Sequence, residues 1–162
     1  MQRARGSIQG SRLGTGAPAT KPPRPAPRAA YAVADPARPR GVVDHSLRKR
    51  QVVQVLRTSL APDYEYAAHK DPDPYLLRAA RNLGEQTERP CPWCEKPGLV
   101  HVRYAYGDDL GERAGGAHTD EDLVLMAGEF GEFDVWLVEV CLDCSWNHVH
   151  LTYTLGDGRA RR

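Results

Sequence analysis

Four cysteines set the frame for this 162-residue chain: Cys91-Pro92-Trp93-Cys94 and Cys141-Leu142-Asp143-Cys144 contain every cysteine it has. Two Cys-x-x-Cys pairs suit a tetrahedral metal. Each pair bends the backbone into a knuckle that presents two sulfurs, and two knuckles complete the shell of a closed structural zinc site. One structural Zn2+ is therefore expected on Cys91, Cys94, Cys141 and Cys144. The 46 residues from 95 to 140 exceed the usual ribbon spacing, so an inserted element is expected between the knuckles.

A redox dithiol and a disulfide framework are the competing readings of the cysteines. A thioredoxin-like Cys-x-x-Cys opens a helix whose N-terminus lowers the thiol pKa. Here Pro97-Gly98 follows the first pair and a β-rich run from Trp146 to Leu155 follows the second. No signal-peptide pattern or long apolar span is visible, which points to a reducing cytoplasm, where disulfides are disfavoured.

Charge divides the chain. Residues 1–40 carry eight Lys/Arg against one Asp, whereas residues 41–162 carry fourteen Lys/Arg against twenty Asp/Glu. The first stretch is rich in Arg, Ala and Pro without apolar periodicity, so it reads as a disordered basic tail or a misassigned start. One zinc-containing domain is expected over 41–156, with 157–162 as a flexible end.

Val42-Val43-Asp44 is read as a helix entry, with Asp44 capping a helix whose Leu47, Val52, Val55 and Leu56 share a face. Arg48, Lys49 and Arg50 then form either its solvated side or a phosphate-contacting run. A polar link through Pro62 and His69 follows. Asp73-Pro74 opens a second helix, apolar over much of its circumference, with Gly84 placed to end it. Leu99 to Tyr106 alternates as a half-buried strand. Thr119 with Asp122 resembles a capping pair for a helix ended by Gly128, which accounts for the long inter-knuckle spacing. Phe133 to Val140 reads as a central strand covered on both sides. From Trp146, alternation puts Val149, Leu151, Tyr153 and Leu155 inward and Trp146, His148, His150, Thr152 and Thr154 outward. The fold class is thus α+β: a zinc-ribbon-like three-stranded antiparallel sheet, two N-terminal helices and one helix between the knuckles.

Together, Val42-Val43-Asp44 before Arg48-Lys49-Arg50, Asp73-Pro74-Tyr75-Leu76-Leu77-Arg78-Ala79-Ala80, Cys91-x-x-Cys94, and Val138-Glu139-Val140-Cys141-x-x-Cys144-Ser145-Trp146-Asn147-His148 carry a likeness. They resemble a family of small uncharacterised actinobacterial proteins known only as a domain of unknown function. The resemblance spans Val42 to Gly156 and implies the cytoplasm of a high-GC bacterium and four cysteine ligands. It implies no activity.

Four cysteines leave no open coordination position, and a catalytic zinc needs one. The His-x-Glu partner of deaminase zinc sites is absent, as are a phosphate-binding glycine loop and a His-Glu-x-x-His helix. The chain therefore reads as a non-catalytic module without a small-molecule substrate or a membrane partner. Its expected partner is a protein or ribonucleoprotein complex, such as RNA polymerase or the ribosome, with weak nucleic-acid binding. The candidate surface comprises Arg48, Lys49, Arg50, Trp93, His101, Arg103, Trp146, His148 and His150. Against it stands an ordinary solvent face, and the net acidity of the folded part opposes phosphate. Asp108, Asp109, Glu112, Asp120, Glu121 and Asp122 form an acidic insert suited to a basic surface or simply to water. A thiol sensor that ejects zinc on oxidation and a purely structural interaction domain are the alternative functions.

Overall fold

The computed structural model describes residues 35–60 and 63–158. The tail reading therefore lies outside the described residues over 1–34, and the C-terminal reading over 159–162. Ten strands and α-helices follow one another among the described residues: β1 (Arg40–Asp44), α1 (Ser46–Thr58), α2 (Tyr64–Ala67), α3 (Pro74–Leu83), β2 (Glu85–Gln86), β3 (Leu99–Tyr106), β4 (Ala117–His118), α4 (Asp120–Glu129), β5 (Glu132–Cys141) and β6 (Asn147–Gly156). A six-stranded antiparallel sheet in the order β1-β6-β5-β3-β2 organises them, and β4 also pairs with β3. The α+β class stands, but the sheet has twice the expected three strands.

The extra strands are short edge pieces. Val42 and Val43, expected at a helix entry, instead belong to β1: Val43 pairs with Thr152 of β6, Val42 lies in the irregularity after Arg40, and Asp44 ends the strand by accepting the Ser46 amide at 2.7 Å. Pro36 and Ala37, compositionally part of the tail, also join the fold: the Pro36 carbonyl accepts from the Gly156 amide and Ala37 packs against the core.

β5 is central, as its apolar run requires. Register places Leu99 opposite Cys141 and Ala105 opposite Val135 on one face, and Val100 opposite Val140 on the other. The first face is covered by α4, through Leu123, Met126 and Ala127, and by α1, through Val52. On the second face Ala80 of α3 packs on Val100, Val102 and Val140. The N-terminal half of β5 departs from the expected double cover. Its residues alternate exposed and buried, and Trp136 remains 43% exposed.

Local chemistry explains the helix ends. Thr119 and Asp122 form the anticipated capping box, each side chain accepting the other's amide at 3.2 Å. The helix continues past Gly128 to Glu129. Asp73 Oδ1 accepts the Tyr75 amide at 2.7 Å, with Pro74 at the first helical position. Gly84 ends α3 with an extended backbone, not a left-handed one. A Cβ there would lie 2.1 Å from the Ala80 carbonyl oxygen and 3.0 Å from Val100 Cγ2, so glycine permits the close approach of helix to sheet.

The buried stripe of α1 keeps Val52 and Leu56 from the face expected from hydrophobicity but replaces its other two members. Leu47 is exposed; Val52, Val53 and Leu56 face the sheet, and Lys49 takes the fourth place on that i, i+3, i+4, i+7 stripe. The link after α1 is also more ordered than a polar connector: α2 and a 3-10 turn over Ala68–Lys70 place His69 against β6. The acidic insert begins as a 3-10 segment, Asp108–Arg113, anchored by buried Leu110.

Candidate metal centre

The two knuckles share one backbone construction. In the first, the Glu95 amide donates to the Cys91 carbonyl at 2.9 Å and the Cys91 amide to Lys96 O at 2.9 Å; in the second, Ser145 donates to Cys141 at 3.0 Å and Cys141 to Trp146 O at 2.8 Å. The turn needs a left-handed residue directly after each second cysteine. Glu95 and Ser145 occupy those places with φ of 63° and 62°. The first knuckle enters β3 and the second joins β5 to β6. Because Leu99 pairs with Cys141, the β3–β5 ladder brings the two knuckles together.

All four sulfurs lie within 4.8 Å of one another, with Cys91 and Cys144 3.6 Å apart and Cys94 and Cys141 3.7 Å apart. A tetrahedral ion with metal–sulfur bonds of about 2.3 Å has sulfur–sulfur edges of about 3.8 Å. The cluster therefore fits a metal ion. Cys91 and Cys141 are buried, while Cys94 and Cys144 are partly exposed. Burial pushes the Cys91 thiol up and that of Cys144 to about 11, against the pull of nearby backbone amides. The Lys96 amide instead holds Cys94 below its usual range. Among the described residues, no other His/Cys/Asp/Glu group converges in this way.

The proposed outward surface is largely interior. Trp146 is fully buried and packs on Val52, Leu99 and the sulfurs, while His148 and His150 are also buried. The cause is a β-bulge. Val138 faces Val149 but Leu137 faces Leu151, so His150 is an extra residue and strict alternation along β6 inverts across it. His101 stacks on His150 with ring centroids 5.4 Å apart, and both are held below the usual imidazole pKa chiefly by burial. Arg103 is mostly covered and pairs with Glu85 and Asp120.

Of the basic run, Lys49 is spent inside the fold on Glu139. Arg48 pairs with Glu65 at 2.6 Å and lies over the Tyr66 ring. Arg50 remains exposed. Trp93, half-buried at the tip of the first knuckle, has Arg57 at 5.7 Å and Lys70 at 4.2 Å from its ring centroid. His69 carries no signal in the sequence beyond its place in a polar link. It stacks on both Trp146 and His148, and its Nδ1 bonds the Asn147 carbonyl at 2.8 Å. Glu139 is the other residue whose role the sequence reading missed. Its signal was a carboxylate inside an otherwise apolar strand.

A helix-covered antiparallel sheet closed at one end by two paired cysteine knuckles defines a class of small α+β protein with a four-cysteine centre able to hold a metal ion. No helix among the described residues is long and apolar enough to cross a membrane. The chain belongs to a family of unknown function, DUF5318, whose profile matches residues 37–162. It is 40% identical over 120 residues to the uncharacterized protein Rv0049 of Mycobacterium tuberculosis H37Rv, covering 74% of this chain and 85% of that one. The uncharacterized protein Mb0050 of Mycobacterium bovis matches to the same extent. No solved structure matches.

Proposed function

We propose that this is a non-catalytic module in which Cys91, Cys94, Cys141 and Cys144 hold one structural Zn2+, and which docks on a protein component of a nucleic-acid machine in the cytoplasm. The observation that carries the metal assignment is the convergence of four sulfurs within 4.8 Å of one another, two of whose edges, 3.6 and 3.7 Å, match those of a tetrahedral thiolate site. All-sulfur donors favour zinc among the common divalent ions, and a shell closed by four thiolates leaves no position for substrate.

The docking surface is the exposed side of α1 and the first knuckle, where Arg50, Arg57, Lys70 and half-buried Trp93 meet beside Pro92. An aromatic flanked by cations suits an acidic protein patch, because such anchors dominate interface energies. The net acidity of residues 41–162 weighs against naked duplex nucleic acid. Recovery of partners on immobilised full-length protein, with and without nuclease, tests this reading. Nuclease-resistant partners lost on Trp93→Ala together with Arg50→Glu support it. Recovery indifferent to those changes overturns the surface, and partners released by nuclease overturn direct protein docking.

A further inference from the structure

The part of the sheet left open around Trp136 bears a second concave feature, separate from the cysteine centre. Trp136, Val149 and Thr152 help form a cleft of about 560 Å3, walled by His45, Glu65 and His148. That volume lies within the range of small-ligand and side-chain sites. Trp136 presents 43% of its surface, with the Tyr106 ring tilted against it at a centroid distance of 5.2 Å.

Charge around the indole is selective. Asp134 lies beside it, and its Oδ1 accepts the Thr154 hydroxyl at 2.8 Å; no ion pair engages it among the described residues. Arg48 and Glu65, also lining the cleft, neutralise each other. Buried His148 is neutral, held well below the usual imidazole range by burial. An anionic ligand thus meets an unpaired carboxylate, whereas a cation meets both that carboxylate and the face of a tryptophan, the side chain best suited to cation–π contact.

We propose that this cleft is the docking site for an arginine-bearing extended segment of a partner protein, with one guanidinium stacked on Trp136 and forked by Asp134. Arginine fits better than lysine because its planar fork can stack and bond a carboxylate in two places at once. A segment fits better than a single amino acid because the surface continues past Asp134 into a second depression lined by Tyr106, Asp108 and Glu132. Among the described residues, Glu132 is the one of these carboxylates with an ion-pair partner, Arg40 at 3.3 Å. Neighbouring basic residues of the segment would therefore cross a second aromatic and further negative charge. This site does not depend on the knuckle surface, and either can fail without the other.

The test uses the full-length, zinc-loaded protein and follows the Trp136 indole N–H resonance, assigned by Trp136→Phe. Its probes are an alternating Arg-Ala heptapeptide, the same peptide with citrulline for arginine, free arginine, and an oligouridylate. The arginine peptide is expected to shift the resonance saturably, with the citrulline peptide and free arginine each at least about tenfold weaker. Asp134→Asn should weaken the arginine peptide about tenfold while leaving the far-ultraviolet spectrum intact. Equal binding of the citrulline peptide, or no effect of Asp134→Asn, overturns the assignment. Free arginine as tight as the peptide overturns segment docking, and a response to oligouridylate alone overturns the protein partner.

Discussion

Lys49 Nζ lies 2.9 Å from Glu139 Oε2, joining the first helix to the middle of the central strand through a carboxylate that is 1% exposed. The other oxygen, Oε1, accepts from the Trp146 indole N–H at 3.3 Å, and His150 Nδ1 stands 3.9 Å from Oε2. Glu139 thus links α1, β5 and the residue that follows the second knuckle.

Removing one partner of a buried pair leaves an uncompensated charge and typically costs about 3–5 kcal/mol, whereas replacing both can be nearly neutral. Lys49→Met is therefore expected to destabilise by about 3 kcal/mol, and Lys49→Met with Glu139→Gln by clearly less. Urea unfolding of the two variants checks this. Equal losses would mean that the pair contributes little beyond packing.

The cysteine centre predicts one zinc per chain, and Cys141→Ser is expected to abolish cooperative unfolding. Structural zinc contributes on the order of 10 kcal/mol in small fingers, more than a typical domain has in reserve. Metal analysis and thermal melts measure both. A metal-free preparation with an unchanged melt, or a Cys141→Ser protein that melts like the parent, excludes the zinc assignment.

Much of this was legible because local chemistry agreed with global position. The Thr119–Asp122 capping pair, Asp73-Pro74 and the alternation of β3 each carry their own physical signature. The twin cysteine spacing likewise marked residues that the sheet does bring together. What was hidden depends on pairing. One bulge at His150 reverses the facing of His148 and Val149, and no single-strand pattern reveals it. Edge strands β2 and β4 have two residues each, too few for any period. Lys49 looked solvated because its buried acceptor lies 90 residues away.

Burial holds His148 at a pKa of about 4, against 6.5 for a free imidazole. The unfolded chain takes up this proton first, so stability falls as the pH drops from about 6.5 towards 4 and is fully present above that window. Between pH 7 and pH 5 the loss from this group is about 2 kcal/mol. His101 and His150, shifted in the same direction, add to it with the same sign. His148→Gln should flatten the dependence when unfolding is measured with metal content monitored in parallel. An unchanged pH slope would assign the acid sensitivity elsewhere.

The knuckle backbone offers the final prediction. Ser145 adopts φ 62°, a left-handed conformation that costs an ordinary residue about 1–2 kcal/mol. Its amide must nevertheless reach back to the Cys141 carbonyl at 3.0 Å to close the turn. Glycine adopts that conformation freely but gains disorder in the unfolded chain, which offsets roughly 0.5–1 kcal/mol. Ser145→Gly is therefore expected to stabilise the metal-bound protein by about 0.5–1 kcal/mol. Ser145→Val should destabilise it, since a β-branched side chain fits a positive φ poorly. The equivalent change at Glu95 is a less clean probe, because Glu95 Oε1 also lies 3.4 Å from the Arg57 guanidinium. If denaturant midpoints place Ser145→Gly below the parent and Ser145→Val level with it, the left-handed turn is not what the second knuckle requires.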